Sequence, residues 1–336
     1  MAIKSVVSRL MKRSIIGLLA AFILCSHDMY LKFDQYVLKP NTQAIIQLFN
    51  GTFERSDNVI TRDRMFDVSL VGNGDRLSVD ATSWYEQDNT TFLKFETGAS
   101  STWVAGVSTK PRTYAQSSED FNDYLEHDGV LDMLESRRKE GTMQDSAVER
   151  YSKHVKTIFQ VGRQLTEDYK EELGYPIEFI PLENPYDLHP GHNLPVKLLF
   201  NQKPLPNQLV YIGNKPSSQE HTHDGHTHSH DHDADHQHDE LVQLRTDQDG
   251  IVSVPIHKAG IWYLRTIHLV EVEEEELTHE SNWATITFAI GGNHSHDHSH
   301  HHGDGHSHEE GIPGYLYGLL SLLIIAALYF WFNRKK

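Results

Sequence analysis

The sequence predicts a mainly β protein with two β-sandwich-like domains, a short helical segment between them and one C-terminal transmembrane helix. Residues 30–115 and 176–292 contain short runs of β-branched and aromatic side chains bounded by turn residues, which is typical of β-sandwiches. Residues 117–173 place apolar side chains at helical spacing instead. Residues 312–332 are almost continuously apolar and match the ~20 residues that a membrane-spanning helix needs.

The first β domain is predicted over residues 27–115 and the second over residues 176–292. The predicted strands of the first domain are Thr42–Asn50, Met65–Val71, Thr91–Thr97 and Thr102–Ser108. Those of the second domain are 176–182, 194–200, 208–213, 251–256, 261–270 and 283–290. A histidine-rich insertion, residues 221–238, falls between two of these strands, where extra loop length costs stability only slowly.

The helical connector is predicted over residues 116–175. Ser117 and Ser118 can cap a helix that carries Phe121 and Leu125. Further along, Val148, Tyr151, Val155, Ile158 and Phe159 form an apolar stripe at helical spacing. We interpret this stripe as a packing face of a helix and not as a cofactor site.

Residues 1–26 have the pattern of a signal peptide. A basic stretch, Lys4–Arg13, is followed by an apolar stretch, Ser14–Cys25, that is too short to span a bilayer. We expect cleavage after Ser26; an uncleaved anchor and a lipid-modified Cys25 are the alternatives. Cys25 is the only cysteine, so the chain has no disulfide framework and no cysteine-based zinc site.

The C-terminal segment predicts a membrane anchor over residues 312–332. Aromatic side chains lie near both of its ends, and the tail 333–336 carries three basic residues. Positive charge favours the cytoplasmic side, so the body of the protein and the linker 293–311 are expected on the extracytoplasmic, or periplasmic, side of the inner membrane. A buried core helix is the alternative interpretation.

The charge of the chain indicates which partners to expect. The formal net charge is −17 with histidine neutral. Nucleic acid is excluded as a partner because no basic stripe is present to neutralise phosphates. An acidic surface favours cations instead.

Two histidine-rich tracts dominate the composition, and both are too polar to form a packed core. They hold sixteen of the 24 histidines: His221, His223, His226, His228, His230, His232, His236 and His238 in the first tract, and His294, His296, His298, His300, His301, His302, His306 and His308 in the second. Side chains two residues apart point the same way in an extended chain, so pairs of imidazoles can chelate one ion. Nickel, cobalt, zinc and copper all accept such ligands, and nothing here selects among them. The alternative is a solvated linker that binds nothing.

A second, organised metal site is predicted around His27. If cleavage exposes it, its α-amine and imidazole can bind one copper or nickel ion together, and Asp28 can add an oxygen. The candidates for further ligands are His189, His192, His257, His268 and His279. A satisfied core histidine is the alternative for His268, and a solvated loop is the alternative for His279. His127 and His154 are expected on the surface of the helical region.

Six stretches of the chain resemble a known family. They are EHDGVLDMLESRR (126–138), ERYSKHVKTIFQVG (149–162), GYPIEFIPLENPYDLHPG (174–191), KPLPNQLVYI (203–212), TDQDGIVSVPIHKAGIWYLRTIHL (246–269) and ESNWATITFAIGG (280–292). The family is labelled NikM-like, for an association with nickel and cobalt uptake, and the second half is also similar to the carboxypeptidase-regulatory-like β-sandwich. The resemblance implies two β-sandwich-like parts, a periplasmic metal-related role and a mature chain that begins with His-Asp, as at His27-Asp28. The histidine tracts are not carried over from the family.

We therefore expect a non-enzymatic, membrane-tethered periplasmic protein that captures or buffers divalent transition metal ions and assists a metal transporter. One alternative is a copper-dependent oxidative enzyme with an amino-terminal histidine site. The sequence contains no GxSxG, HExxH or phosphate-loop motif that would support another enzyme class. The other alternative is a structural β-sandwich module that holds a partner near the membrane.

Overall fold

The computed structural model describes residues 27–77, 79–216 and 241–291. Within them the protein is mainly β, with sandwich-like sheets and few helices, as the sequence predicts. The predicted signal peptide, the first tract, the second tract, the transmembrane span and the basic tail lie outside the described residues. In the described ranges no helix is long and apolar enough to cross a membrane.

The elements follow one another along the chain in this order. The strands are β1 (Asp28–Lys32), β2 (Val37–Leu38), β3 (Gln43–Gly51), β4 (Met65–Gly72), β5 (Asp75–Leu77), β6 (Trp84–Gln87), β7 (Thr90–Glu96), β8 (Ser101–Thr109), β9 (Arg112–Gln116), β10 (Ala147–Val161), β11 (Ile177–Pro181), β12 (Asn193–Phe200), β13 (Lys203–Pro204), β14 (Leu209–Lys215), β15 (Val242–Arg245), β16 (Ile251–Pro255), β17 (Gly260–Glu274) and β18 (Leu277–Ile290). The α-helices are α1 (Ser118–His127) and α2 (Leu131–Glu140), both between β9 and β10.

The strands form three sheets among the described residues. A ten-stranded sheet has the order β15-β14-β17-β18-β10-β8-β4-β5, and β2 and β9 also pair with β10. A four-stranded sheet has the order β1-β3-β7-β6. In the third sheet β12 pairs with β11, β13 and β16. The ten-stranded sheet therefore combines strands from both predicted β domains, while the division of the chain into domains stays a prediction.

One apolar cluster connects all three sheets. Leu48 of β3, Val196 of β12 and Leu264 of β17 belong to it, and each is 0 % exposed. Burying a side chain of this size contributes ~1.5–3 kcal/mol. The first strand is fixed to the large sheet as well, because Thr285 and Thr287 of β18 donate side-chain hydrogen bonds of 2.7 and 2.6 Å to carbonyl oxygens of β1.

The prediction of a helix over the stripe Val148–Phe159 is wrong, because these residues lie in the strand β10. β10 pairs in parallel with β18 and antiparallel with β8 and β9. A central strand is buried on both faces, so apolar side chains occur at consecutive positions and can mimic a helical stripe. The predicted connector 116–175 is α-helical only within Ser118–Glu140.

The two helices cover one end of the large sheet. The Ser117 side chain caps α1 by accepting a hydrogen bond of 3.1 Å from the amide of Asp120. Phe121 and Leu125 are fully buried in a cluster that includes Trp283 of β18. Gly129 follows the helix with a positive φ of 74° and brings the chain under Tyr211, whose hydroxyl donates to the Gly129 carbonyl at 2.8 Å.

Candidate functional site

Both histidine tracts attach to the same end of the ten-stranded sheet. The first follows β14, which ends at Lys215, and the second begins shortly after β18, which ends at Ile290. Lys215 is paired with Ile261 of β17, and Ile261 is paired with Ala289 of β18. Neighbouring strands are ~4.8 Å apart, so the two attachment points are separated by ~10 Å.

The attachment points are held by the folded protein. Lys215 forms an ion pair with Glu54, with 2.7 Å between Nζ and Oε1. Leu241, where the chain returns from the first tract, packs against the aromatic cluster of Tyr30, Phe53 and Tyr263. Lys215 and Leu241, which flank the first tract, are therefore both held by contacts with the folded protein.

The predicted histidine ligands outside the tracts are spread over several elements. His189 and His192 are exposed in the turn before β12, with their ring centroids 5.8 Å apart. His257 is exposed beside Trp262. Within residues 27–77, 79–216 and 241–291, no group of three or more His, Cys, Asp or Glu side chains is placed to hold a metal ion.

His268 and His279 both lie in strands of the large sheet. His268 contacts Gln208, with 2.9 Å between Nδ1 and Oε1, and burial lowers its pKa. His279 is not in a solvated loop but is 4 % exposed in β18. Its Nδ1 lies 2.7 Å from the Thr278 hydroxyl, whereas its buried Nε2 has no hydrogen-bond partner among the described residues. Burial, with the charge of Arg137, lowers the pKa of His279 to about 4.

The expectation of a surface position for His154 is wrong. His154 is 2 % exposed in β10, because this strand is covered on both faces. Its Nδ1 lies 2.9 Å from the Ser108 hydroxyl and its Nε2 lies 3.0 Å from the Ser152 hydroxyl. Burial lowers the pKa of His154 to about 4, so the imidazole is neutral at pH 7.

His27 and Asp28 take part in interactions that the sequence did not reveal. His27 is partly buried, with Nδ1 3.8 Å from Oδ2 of Asp57, and burial lowers its pKa. The ammonium of Lys153 donates to its carbonyl oxygen. Asp28 pairs with Arg265 at 3.3 Å and accepts a hydrogen bond of 3.0 Å from the Tyr30 hydroxyl. The Asp28 carboxylate is therefore engaged by a guanidinium and a hydroxyl group in this structure.

Asp128 lies close to Arg265 and Asp28. Arg265 donates to its backbone carbonyl oxygen at 3.0 Å. Burial, together with the negative charge of Asp28, raises the pKa of the Asp128 carboxyl to about 8. This environment favours the protonated form of the Asp128 carboxyl.

A cavity of about 700 Å³ opens beside His27. Two neighbouring strands supply most of its charged and aromatic side chains. Arg112, Tyr114 and Gln116 alternate along β9, and Glu149, Tyr151 and Lys153 alternate along β10. Side chains two residues apart in a strand share a face, and the register sets Arg112 opposite Tyr151 and Tyr114 opposite Glu149. We name this space the β9–β10 cavity; Arg64, Tyr124 and Trp283 also line it.

Two buried groups of opposite charge lie in this cavity. Lys153 is 7 % exposed and burial lowers its pKa to about 8; its Nζ lies 4.8 Å from the centre of the Trp283 ring. Glu149 is 2 % exposed and burial raises its pKa. Glu149 accepts hydrogen bonds from the Gln116 amide at 3.0 Å and the Tyr124 hydroxyl at 3.3 Å, and from the Ser281 hydroxyl.

Two guanidinium groups face the same cavity without a carboxylate partner. Neither Arg64 nor Arg112 forms an ion pair with any residue in the part of the chain that the structure describes. Burial and then the like charge of Arg112 lower the pKa of Arg64. The sequence analysis missed this cavity. The alternation of side chains in RTYAQ (112–116) and ERYSK (149–153) is visible in the sequence, but the pairing of β9 with β10 is not.

A family model described as "Domain of unknown function (DUF4198)" matches residues 24–270. The chain belongs to this family. The DUF4198 match includes β9 and β10, and so most of the cavity lining, together with the first histidine tract. The second tract and the predicted membrane span follow it. No curated protein matches the chain.

Several solved structures show a weak similarity to this DUF4198 chain. A crystal structure of Salmonella alpha-2-macroglobulin reacted with methylamine has 12% identity and a TM-score of 0.21, over 79% of this chain and 15% of that chain. The D0-D1 domain of Intimin has 10% identity and a TM-score of 0.17, over 78% of this chain and 97% of that chain. The adhesin InvE of Yersinia pseudotuberculosis has 12% identity and a TM-score of 0.19, over 78% of this chain and 59% of that chain. TM-scores this low carry no inference about fold or function.

Proposed function

We propose that this protein is a metal-binding protein tethered to the inner membrane, with its body on the periplasmic side. It captures or buffers nickel, cobalt, zinc or copper ions with its two histidine tracts and delivers them to a metal transporter. The observation that carries the proposal is the density of imidazoles, sixteen in two short segments. The resemblance to the NikM-like family supports the same role.

The geometry of the attachment points adds support. Lys215 and Ile290 end strands on either side of β17, so both tracts leave from one end of the sheet. The net charge of −17 attracts cations towards the protein. Imidazole binds these metals only when neutral, so we expect the ions to be released as the pH falls below ~6.

The test is metal binding by the full-length protein in detergent, measured by equilibrium dialysis and elemental analysis. Three variants replace the histidines of the first tract, of the second tract, or of both by asparagine. We expect a partial loss of bound metal in each single-tract variant and a loss of more than tenfold in the variant that lacks both. The control replaces four exposed histidines of the folded part, His127, His189, His192 and His257, and should bind as much metal as the unmodified chain.

The same variants test the role in cells. A strain whose protein lacks the tract histidines should contain less metal, or tolerate excess metal less well, than a strain with the control variant. Full metal binding without the tract histidines would contradict the proposal. So would tracts that resist cleavage by a protease added outside intact spheroplasts. The copper-enzyme alternative requires cleavage after Ser26, which N-terminal sequencing of the purified protein decides.

A further inference from the structure

The β9–β10 cavity is positively charged in a strongly acidic protein. Arg64, Arg112 and Lys153 line it against a single carboxylate, Glu149, whereas the chain as a whole carries a net charge of −17. The Lys153 ammonium already contacts the His27 carbonyl oxygen and, at 3.4 Å, the Asn50 side chain. The two guanidinium groups are therefore the cations that remain for a ligand.

Two guanidinium groups that line one cavity without a carboxylate partner among the described residues favour the binding of an anion there. Like charges repel, and their repulsion contributes to the lowered pKa of Arg64. Asp63, the acidic neighbour of Arg64, is exposed and makes no ion pair with it in the described ranges. A carboxylate matches the planar fork of a guanidinium and can accept two hydrogen bonds from it.

The β9–β10 cavity is also lined by Gln116, which has a buried acceptor without a donor in the described part of the chain. Gln116 is 6 % exposed, and its Nε2 donates to Glu149. Its Oε1 is buried without a hydrogen-bond partner among the described residues. An unsatisfied buried carbonyl of this kind costs ~1–3 kcal/mol, and an N–H or O–H group of a ligand would satisfy it. Glu149 lies next to it and can accept from the same ligand group.

We propose that the β9–β10 cavity binds a small organic acid whose carboxylate is held by Arg64 and Arg112 and whose hydroxyl or ammonium group is held by Gln116 and Glu149. The volume of about 700 Å³ is in the range of small-molecule sites and exceeds what a single inorganic ion needs. Tyr114, Tyr151 and Trp283 supply apolar surface for the carbon skeleton. This ligand is separate from the metal ions of the tracts.

The test is isothermal titration calorimetry on the full-length protein in detergent, after removal of metals by chelation and dialysis. The probes are citrate for the hydroxy acids, L-glutamate for the amino acids, and glycerol and putrescine as neutral and cationic controls. We expect one citrate or one glutamate per chain, no binding of either control, and affinity that falls with added salt. Preference for citrate or for glutamate shows whether the second group is a hydroxyl or an ammonium.

The variants assign the binding to this cavity. Arg112→Ala changes an exposed residue and should leave folding intact while weakening binding at least tenfold. Arg64→Lys keeps the charge but not the fork and should weaken binding too. Arg163→Ala, an exposed arginine away from the cavity lining, is the matched control and should bind normally.

Three results would overturn the proposal. One is the absence of heat with either acid up to ~10 mM, where a Kd of ~1 mM would be detected. Another is unchanged binding by Arg112→Ala. The third is binding that appears only after nickel or zinc is added back, because the acid would then be coordinating metal on the tracts. That result would contradict the cavity proposal and leave the proposal of metal binding by the tracts unaffected, so the two can be tested independently.

Discussion

Lys156 and Glu178 form a buried ion pair in which both side chains are 1 % exposed. Their Nζ and Oε2 atoms are 3.0 Å apart. Lys156 also donates to the Glu171 carbonyl at 2.8 Å, and Glu178 accepts backbone hydrogen bonds from Leu173 and Gly174 at 2.9 and 3.0 Å. Each charge thus has hydrogen bonds besides the ion pair, which is the condition under which a buried pair is tolerated.

Replacing Lys156 by methionine tests how much depends on this pair. The variant keeps the side-chain volume but leaves Glu178 buried without a cation, so we expect the free energy of unfolding to fall by ~3–5 kcal/mol. Urea unfolding followed by tryptophan fluorescence measures it. Lys170→Met is the control, because Lys170 pairs with Glu167 on the surface and solvent screens that pair. Equal stability of the two variants would contradict a structural role for the buried pair.

The buried histidines predict a dependence of stability on pH. The pKa values of His154 and His279 are about 4 in the folded protein and 6.5 ordinarily. Between these values the unfolded chain binds more protons than the folded chain, so stability is present above pH 6.5 and is lost as the pH falls towards 4. His154 contributes on the order of 3 kcal/mol to this loss, and His279 acts in the same direction.

The measurement is the free energy of unfolding from pH 7.5 down to pH 4, compared with a His154→Gln variant. The variant should be less stable at pH 7.5 but should lose less stability on acidification. His127→Gln provides the control, since His127 is exposed and its replacement should leave the slope unchanged. A slope that is the same in the His154 variant would show that this imidazole is not kept neutral by the fold.

At the scale of elements, the end of α1 places Asp128 and Gly129 against β14 and β17. Gly129 has a φ of 74°, and a Cβ there would lie 2.1 Å from the Tyr211 hydroxyl oxygen. Gly129→Ala should therefore cost the ~1–2 kcal/mol of the left-handed conformation and, in addition, disrupt the Tyr211 hydrogen bond. Gly141 ends α2 at a φ of 79° with nothing within 4 Å of its Cβ position, so Gly141→Ala isolates the conformational cost.

Chemical denaturation of both variants measures the difference. We expect Gly129→Ala to be the less stable of the two by at least ~1 kcal/mol, because its side chain must displace Tyr211. If the two variants are equally destabilised, the contact between the helix end and β14 does not contribute to stability.

The elements that the sequence predicts well are those whose pattern is local. The predicted strand Met65–Val71 corresponds to β4 (Met65–Gly72), and Thr102–Ser108 corresponds to β8 (Ser101–Thr109), because turn residues delimit both. The helix that begins after Ser117 follows from its cap. β10 was not predicted, because most of it, from Ser152 to Val161, is buried on both faces and lacks the alternation that identifies a strand at a surface.

The β9–β10 cavity was not predicted for a related reason. Arg112 and Glu149 are 37 residues apart in sequence (149 − 112), and α1 and α2 lie between them. Only the register of β9 against β10 brings their side chains to one face. The predicted metal ligands of the folded part lie on separate elements for the same reason, because they were chosen by residue type, which carries no information on strand pairing.

On the scale of the whole molecule, the ten-stranded sheet makes the two halves of the chain depend on each other. β10 lies between β8, from the first half, and β18, from the second. Leu48 of β3 and Leu264 of β17 are both 0 % exposed in the same apolar cluster. Two separate domains would unfold independently, whereas a shared core should lose its packing at once.

We therefore predict one calorimetric transition for the folded part, with equal calorimetric and van't Hoff enthalpies. Leu48→Ala and Leu264→Ala should each lower the Tm of that single transition, because each leaves a cavity that costs ~2–5 kcal/mol. Val242→Ala is the control, since Val242 is 41 % exposed at the sheet edge and should leave the Tm nearly unchanged. Differential scanning calorimetry of the full-length protein in detergent measures all three. Two transitions, with each leucine variant moving a different one, would show that the halves are separate folding units and that β10 joins them without coupling them.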